Sequence, residues 1–189
     1  MQANALETVT MAIKQRLITA IGETDKDKVY VGPLDDPDAR GAALVLFLYR
    51  LVPNAELRNT EHRVPNPQDD ASAIVYDTAL PLDLYYVITA GNLSSGGELP
   101  SLGKLGRAMQ ALNDSPNITG SSVVGETVRL SLCSITSEEM SRVWALFPQA
   151  NYRTSVVYMA SPVWIDPAHK PEMAPAVVEE LYKFGQASA

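Results

Sequence analysis

The side chains best suited to metal binding or nucleophilic chemistry in this sequence are His62, His169 and Cys133. The two histidines lie far apart in polar segments, and neither has a second ligand at the short spacing of a metal site. We interpret both as solvated surface histidines. Cys133 falls in an alternating strand pattern, where a buried structural thiol is the usual state. A chain with one cysteine cannot form an internal disulfide.

Two further motifs resemble ligand-binding loops but are incomplete. Gly91, Gly96 and Gly97 are not followed by the Gly-Lys-Ser/Thr of a phosphate-binding loop. Asp69 and Asp70 lack the alternating oxygen ligands and the Gly-then-Glu order of a calcium loop. The sequence therefore predicts no catalytic residues, no bound cofactor and no metal ligands, in a protein that is not an enzyme.

Composition and charge restrict the partners that this chain can bind. It has 189 residues, about the length of one domain, and 46% of them are apolar. The net charge of -7 disfavours nucleic acid and anionic lipid, because both attract clustered Lys and Arg. Residues 1–25 lack the continuous apolar core of a signal peptide, and no run reaches the ~18–20 apolar residues of a membrane span. We expect synthesis in the cytoplasm and no direct membrane insertion.

Apolar residues spaced three and four apart predict helices over 2–22, 100–113 and 137–147. Gly22 is placed to end the first helix. Thr136 and Glu139 have the spacing of a capping box, and Ile135 and Met140 are placed for a hydrophobic staple around it. The middle helix should bury one apolar stripe, made of Leu102, Leu105, Met109 and Leu112.

Alternating or continuous apolar runs predict strands over 29–31, 42–52, 80–90, 127–133 and 152–165. The strand at 42–52 is apolar on both faces, which predicts cover on both sides, from the chain itself or from a partner. Two other strands should each bury one face, made of Leu80, Leu82, Leu84, Tyr86 and Ile88 on the third and Val128, Leu130 and Leu132 on the fourth.

The remaining segments predict connections and the fold class. The polar, proline-containing segment 53–79 is interpreted as an extended loop, and 167–189 as a tail that could form a short helix at 175–184. Pro162 cannot donate to a sheet ladder, so we expect an edge or a bend there. Strands and helices do not alternate strictly, which favours an α+β fold with a mostly antiparallel sheet and helices packed on it.

Four segments, taken in order, carry a family resemblance: LPLDLYYVITAG at 80–91, LGKLGRAMQALNDSP at 102–116, VRLSLCSITSEEMSRVWALF at 128–147 and YRTSVVYMASPVWID at 152–166. PNAELRNT at 53–60 is similar to the loop after the second strand of the same family. Together these segments resemble the N-terminal domain of the cap, or tail-terminator, proteins of extracellular contractile injection systems, of the antifeeding-prophage and Photorhabdus-virulence-cassette type.

The resemblance implies a fold related to phage tail terminators and a hexameric ring that closes the baseplate-distal end of the inner tube and sheath. It implies a homo-oligomer whose partners are the sheath and inner tube proteins, in a particle that is released or membrane-associated. We expect a cap domain over 1–166 and a C-terminal tail over 167–189. Longer family members carry a further C-terminal region. The alternatives are a tail-completion protein or baseplate adaptor of the same kind of particle, and a small enzyme or ligand-binding domain.

A subunit of such a ring needs surfaces for its neighbours. The candidate interface residues are Arg50, Arg58, Asp83, Arg107, Arg129, Val156 and Tyr158. For Asp83, Arg107 and Arg129 the alternative is surface charge or a local ion pair. The strand at 152–161 is our candidate edge for accepting a sheath strand, with Pro162 ending the pairing, and docking on the 53–79 loop is the competing hypothesis.

Overall fold

The helices of this protein lie close to where the sequence predicts them. A computed structural model describes residues 4–22, 29–66, 68–69, 72–91, 98–120, 126–168 and 172–175. These residues form the α-helices α1 (Ala5–Ile21), α2 (Leu99–Asp114) and α3 (Ser137–Ala145), together with one turn of 3-10 helix at Pro37–Ala39. None of the described helices is both long enough and apolar enough to cross a membrane.

Local hydrogen bonds set two of the helix ends, as predicted. Gly22 adopts a left-handed conformation with a φ of 70° and ends α1, because glycine takes this conformation without steric cost. At the start of α3 the Glu139 amide donates to Thr136 Oγ1 at 3.2 Å, and the Thr136 amide donates to Glu139 Oε2 at 3.0 Å. The capping box is therefore confirmed. Ile135 and Met140 both belong to the apolar cluster beneath this helix start.

The main sheet is six-stranded, with the order β1-β2-β5-β8-β7-β6. Its strands are β1 (Val29–Val31), β2 (Leu44–Pro53), β5 (Leu80–Ala90), β6 (Asn117–Ile118), β7 (Val128–Cys133) and β8 (Ser155–Ile165). β1 is parallel to β2, and all other neighbouring pairs are antiparallel. The predicted α+β class is confirmed.

Helices cover the sheet on both faces. α1 and α2 pack on one face, where the buried side chains include Ile13, Leu17, Leu112, Leu84, Tyr86 and Ile88. α3 packs on the other face, where the buried side chains include Met140, Val143, Trp144, Val45, Val87 and Val157. Leu44, Val45 and Leu46 at the start of β2 are consequently all buried. The cover predicted for both faces of this strand thus comes from the chain itself in its first half, whereas Arg50 and Leu51 in its second half are exposed.

Three leucines that the apolar patterns assign to the core lie outside it. Leu80, Leu102 and Leu132 are 45%, 37% and 56% exposed. Leu80 begins β5, Leu102 lies in the first turns of α2, and Leu132 lies near the end of β7. The apolar pattern of each segment continues beyond the part that neighbouring elements cover. The sequence pattern therefore overestimates how many of its apolar side chains are buried.

A second, three-stranded sheet replaces the loop predicted over 53–79. It contains β3 (His62–Pro65), β4 (Ser72–Tyr76) and β9 (Glu172–Pro175), in the order β3-β4-β9 and antiparallel throughout. All three strands are short, and β3 and β9 each end at a proline, so their local pattern is weak. Part of their pairing comes from β9, about 100 residues further along the chain. The short helix expected at 175–184 falls outside the described residues, apart from Pro175 at the end of β9.

The prediction that strand 152–161 is a free edge is wrong. β8 pairs with β5 from Ser155 to Ile165 and with β7 from Val157 to Ser161. The bend expected at Pro162 is present as a register shift between β5 and β8, next to a cis Ser161–Pro162 peptide bond. Because both sides of β8 are occupied from Val157 to Ser161, an incoming strand cannot pair with this stretch.

Candidate functional site

A row of side chains crosses four strands of the main sheet on the face that carries α3. Arg50 of β2 is paired with Tyr85 of β5, Tyr85 with Met159 of β8, and Met159 with Ser131 of β7. Directly paired residues project from the same face of a sheet. Arg50 is exposed, and the other three side chains are half-buried. α3 therefore leaves this part of the face partly open to solvent.

The next row on the same face is polar. Val52 is paired with Asp83, and Ser161 is paired with Arg129. Ser161 Oγ donates to Asp83 Oδ1 at 2.5 Å, and Asn54 Nδ2 donates to the same oxygen at 2.9 Å. These partners of Asp83 are neutral and link it to β8 and to the end of β2, while Arg129 is exposed.

Together these two rows form what we term the open sheet face: Arg50, Val52, Asp83, Tyr85, Arg129, Ser131, Met159 and Ser161. The Arg50 guanidinium lies 5.2 Å from the centroid of the Tyr85 ring, and Tyr49 packs edge-on against that ring at 6.4 Å. Arg, Tyr and Met are enriched at protein interfaces relative to other surfaces. The composition of this face is therefore typical of protein interfaces, which makes it our candidate site.

Three of the seven predicted interface residues, Arg50, Asp83 and Arg129, are brought together on this face. Arg58 is exposed in the turn after β2, and Arg107 is exposed on α2. Val156 is half-buried against the α1–α2 side of the core. Tyr158 is buried and its hydroxyl donates to the Met109 carbonyl at 3.5 Å, so its assignment to an exposed edge is corrected.

Sequence reasoning missed Tyr49, Tyr85 and Met159. The alternating pattern of β5 does place Tyr85 opposite the apolar face. However, which strands lie next to each other, and the extra residue in β2 between Leu48 and Arg50, become known only when the strand pairing is known.

His62 is buried, which corrects its interpretation as a solvated histidine. Its side chain is 5% exposed, its Nδ1 lies 2.7 Å from Asp166 Oδ1, and its Nε2 lies 3.4 Å from Glu126 Oε1. The ring stacks on Trp164 at 4.4 Å and on Tyr76 at 5.9 Å, both measured between ring centroids. Glu126 and Asp166 are distant from His62 in sequence, so no local spacing could have indicated the cluster. His169 falls outside the described residues.

The environment of Cys133 does not activate its thiol. The side chain is half-buried near the end of β7, and burial raises the pKa of the thiol. Its Sγ donates to the Ser131 carbonyl at 3.7 Å. A nucleophilic cysteine needs a lowered pKa, so the geometry fits a structural side chain.

Comparison with known proteins adds a family and two related structures. Residues 8–179 match the family described as the Pvc16 N-terminal domain. No curated protein matches the chain. One similar solved structure is the sheath/tube terminator of PVC, an extracellular contractile injection system, imaged by cryo-EM in the extended state. The TM-score is 0.55 at 13% identity, over 94% of this chain and 64% of that chain.

A second similar structure is the anti-feeding prophage cap, described as the tube-terminating cap, with a TM-score of 0.57 at 18% identity. The alignment covers 93% of this chain and 60% of that chain. The chain thus spans less than two thirds of the length of either solved protein. At these identities the likeness establishes a shared fold, which is terminator-like.

Proposed function

Because this chain belongs to the Pvc16 N-terminal domain family, we propose that it is a structural cap subunit that ends the inner tube and sheath of a contractile, phage-tail-like injection particle. The observation that carries the proposal is the family match over residues 8–179. The shared fold with two cap structures supports it across nearly the whole chain. The proposed role is structural and needs no catalytic residue.

The open sheet face is the surface that we assign to contact with a neighbouring subunit. Its two arginines and its half-buried Tyr85 and Met159 combine charge with large side chains that pack well at interfaces. When identical subunits contact each other through two different surfaces, each subunit is rotated relative to the previous one. The assembly closes into a ring if these rotations add up to a full turn. We extend the proposal to such a ring, hexameric by the family resemblance, and symmetry in particle images or native mass spectrometry would measure it.

The edge that accepts a partner strand is reassigned from β8 to the second half of β2. β1 pairs with β2 only at Leu44, Val45 and Leu46. From Phe47 to Pro53, no described strand pairs with the side of β2 opposite β5. An unpaired strand edge offers main-chain hydrogen bonds to an incoming strand. We assign this edge to contact with the sheath, in place of the strand at 152–161.

Deletion of the gene in a strain that produces the particle tests the proposed role. A cap stops tube and sheath growth, so deletion should give tubes of uncontrolled length and unstable sheaths in electron micrographs. Expression of the wild-type chain should restore capped particles. Expression of Cys133→Ser should restore them equally well, since the role does not depend on a reactive thiol.

The location of the protein distinguishes a cap from the alternatives. A tagged copy should be found at the end of the particle distal to the baseplate. Location at the baseplate would instead indicate an adaptor. Capped particles of normal length from the deletion strain would reject any terminator role.

A further inference from the structure

The cluster of His62, Glu126 and Asp166 lies where the two sheets of the molecule meet. His62 begins β3 of the small sheet, whereas Glu126 lies just before β7 and Asp166 directly after β8 of the main sheet. The three side chains are nearly or fully buried, with exposures of 5%, 9% and 11%. The assigned cap surfaces lie elsewhere, so the proposed function does not explain this convergence.

The donor atoms are spaced closely enough for one small cation. One ligand atom from each residue lies within 4.8 Å of the others. Bonds of about 2.1 Å to a tetrahedral zinc ion place ligand atoms roughly 3.4 Å apart. The cluster therefore needs adjustments of about an ångström, with the ion taking the place of the proton between His62 and Asp166.

The electrostatics of the cluster also favour a cation. Two carboxylates within a few ångströms of each other repel, and burial makes their negative charge more costly. A divalent ion would bind one oxygen of each carboxylate and one nitrogen of His62.

We propose that His62, Glu126 and Asp166 bind a divalent transition-metal ion, Zn²⁺, that ties the small sheet to the main sheet. Imidazole and carboxylate donors suit this ion. The imidazole stacks on the rings of Trp164 and Tyr76, and this stacking restricts the orientation of the ligand. A cleft of about 710 Å³, lined by His62, Glu126 and Trp164, gives the ion an entry path and a place for a water ligand.

Zinc titration of the purified full chain tests the site. The Cys133→Ser, His169→Gln double variant makes His62 the one histidine and removes the thiol. After dialysis against a chelator, calorimetry should find one Zn²⁺ per chain. Free Zn²⁺ at 100 times its Kd should raise the Tm by about 5–10 °C, since a ligand that binds only the folded state stabilises it. Mg²⁺, which is reluctant to give up its water ligands, should leave the Tm unchanged.

Substitution of each carboxylate identifies the ligands. Glu126→Gln and Asp166→Asn preserve size and should each weaken Zn²⁺ binding at least tenfold. The matched control is Glu61→Gln, which removes one negative charge from the same cleft but outside the cluster, and it should bind as tightly as its parent. Circular dichroism establishes that each variant is folded.

A local measurement on the Cys133→Ser, His169→Gln protein does not depend on the carboxylate substitutions. Zn²⁺ should slow amide hydrogen exchange in β3 and β4, because the ion joins these strands to the main sheet. Failure of Zn²⁺ to change either the Tm or this exchange would overturn the proposal, as would unchanged affinity in a folded Glu126→Gln variant. The cluster would then be held by hydrogen bonds alone.

Discussion

At the scale of single residues, polar side chains in this protein act through specific hydrogen-bond partners. Among the described residues, no buried side-chain nitrogen or oxygen lacks a partner. Thr136 begins a helix, Asn54 and Ser161 hold Asp83, and Tyr86 carries its hydroxyl into the core. Removal of one partner leaves the other unsatisfied, which costs more than the net value of the bond. Substitutions at such positions therefore test the structure sharply.

The start of α3 gives the first of these tests. Thr136→Ala removes the oxygen that accepts the Glu139 amide, so we expect a loss of about 0.5–2 kcal/mol in the free energy of unfolding. Chemical denaturation measures the loss. Thr136→Ser keeps the hydroxyl and should retain most of the stability. Equal stability of the alanine and serine variants would show that packing of Trp144, rather than the cap, sets this helix start.

The buried hydroxyl of Tyr86 predicts a loss of stability in alkali. Burial raises the pKa of Tyr86 to about 12 from an ordinary value of 10. Between these values the folded state keeps the proton that the unfolded state releases, so stability falls as the pH rises through this range. For one group, the free energy of unfolding falls by about 1.4 kcal/mol per pH unit in this range.

Tyr86→Phe removes this titration and serves as the comparison. The free energy of unfolding, measured from pH 9 to pH 12, should fall less steeply for the phenylalanine variant than for the wild type. The variant also loses the hydrogen bond to Thr10, which is 2.8 Å long, and so should be less stable at neutral pH. Parallel curves for the two proteins above pH 10 would contradict the assignment.

At the scale of elements, the position of a strand in the sheet decides what it can do. β8 has neighbours on both sides and contributes Val157, Tyr158 and Ala160 to the core. Its role is to hold the sheet together. Among the described strands, the second half of β2 has a neighbour on one side only, and this is the edge that we propose accepts a partner strand.

Proline in β8 should therefore unfold the protein rather than block docking. Val157 is paired with Val87 on one side and with Cys133 on the other. Val157→Pro removes an amide from the middle of the sheet, where proline is essentially absent in folded proteins. We expect loss of the folded circular dichroism spectrum.

Val157→Ala is the control for this substitution, because it keeps the main-chain amide. It should stay folded and lose about 1.5–3 kcal/mol from reduced burial. A folded Val157→Pro protein that fails only in particle assembly would restore β8 as the docking edge.

At the scale of the whole molecule, the two covered regions of the sheet leave one open region between them. α3 covers one end of its face, and the cluster around Trp164 and His62 lies at the other end of β8. The open sheet face lies between. Arg50 and Arg129 are the exposed side chains of this face, so substitutions at these two positions test partner contacts rather than the core.

Charge reversal on this face should disrupt assembly while preserving the fold. We expect Arg50→Glu combined with Arg129→Glu to give the long tubes and unstable sheaths of the deletion strain. Each exposed substitution should change stability by about 0.5 kcal/mol or less. Particle length in micrographs and the Tm of the purified protein measure the two effects.

Arg107→Glu provides the matched control, since Arg107 is exposed on α2, which packs on the opposite side of the sheet. Particles of normal length are expected from this variant. Normal particles from the double variant would reject the open sheet face as a contact surface. A defect in Arg107→Glu particles combined with normal particles from the double variant would instead assign the contact to the face that carries α1 and α2.

The sequence by itself determined the features that depend on neighbouring residues. The ends of α1 and α3 follow from Gly22 and from the Thr136–Glu139 pair, because their hydrogen bonds span at most a few positions. The strands β1, β5, β7 and β8 follow from apolar runs of the right length. The α+β class follows from the order of helices and strands, and the family resemblance rests on the four sequence segments at 80–91, 102–116, 128–147 and 152–166.

Tertiary structure alone decided what depends on distant pairing. The interior place of β8, the small sheet completed by β9 and the burial of His62 against Tyr76 and Trp164 all require contacts across long stretches of chain. The outward position of Leu132 depends on where the covering layers stop. Such contacts offset the entropy of closing long loops only when the whole fold forms, so no local pattern records them.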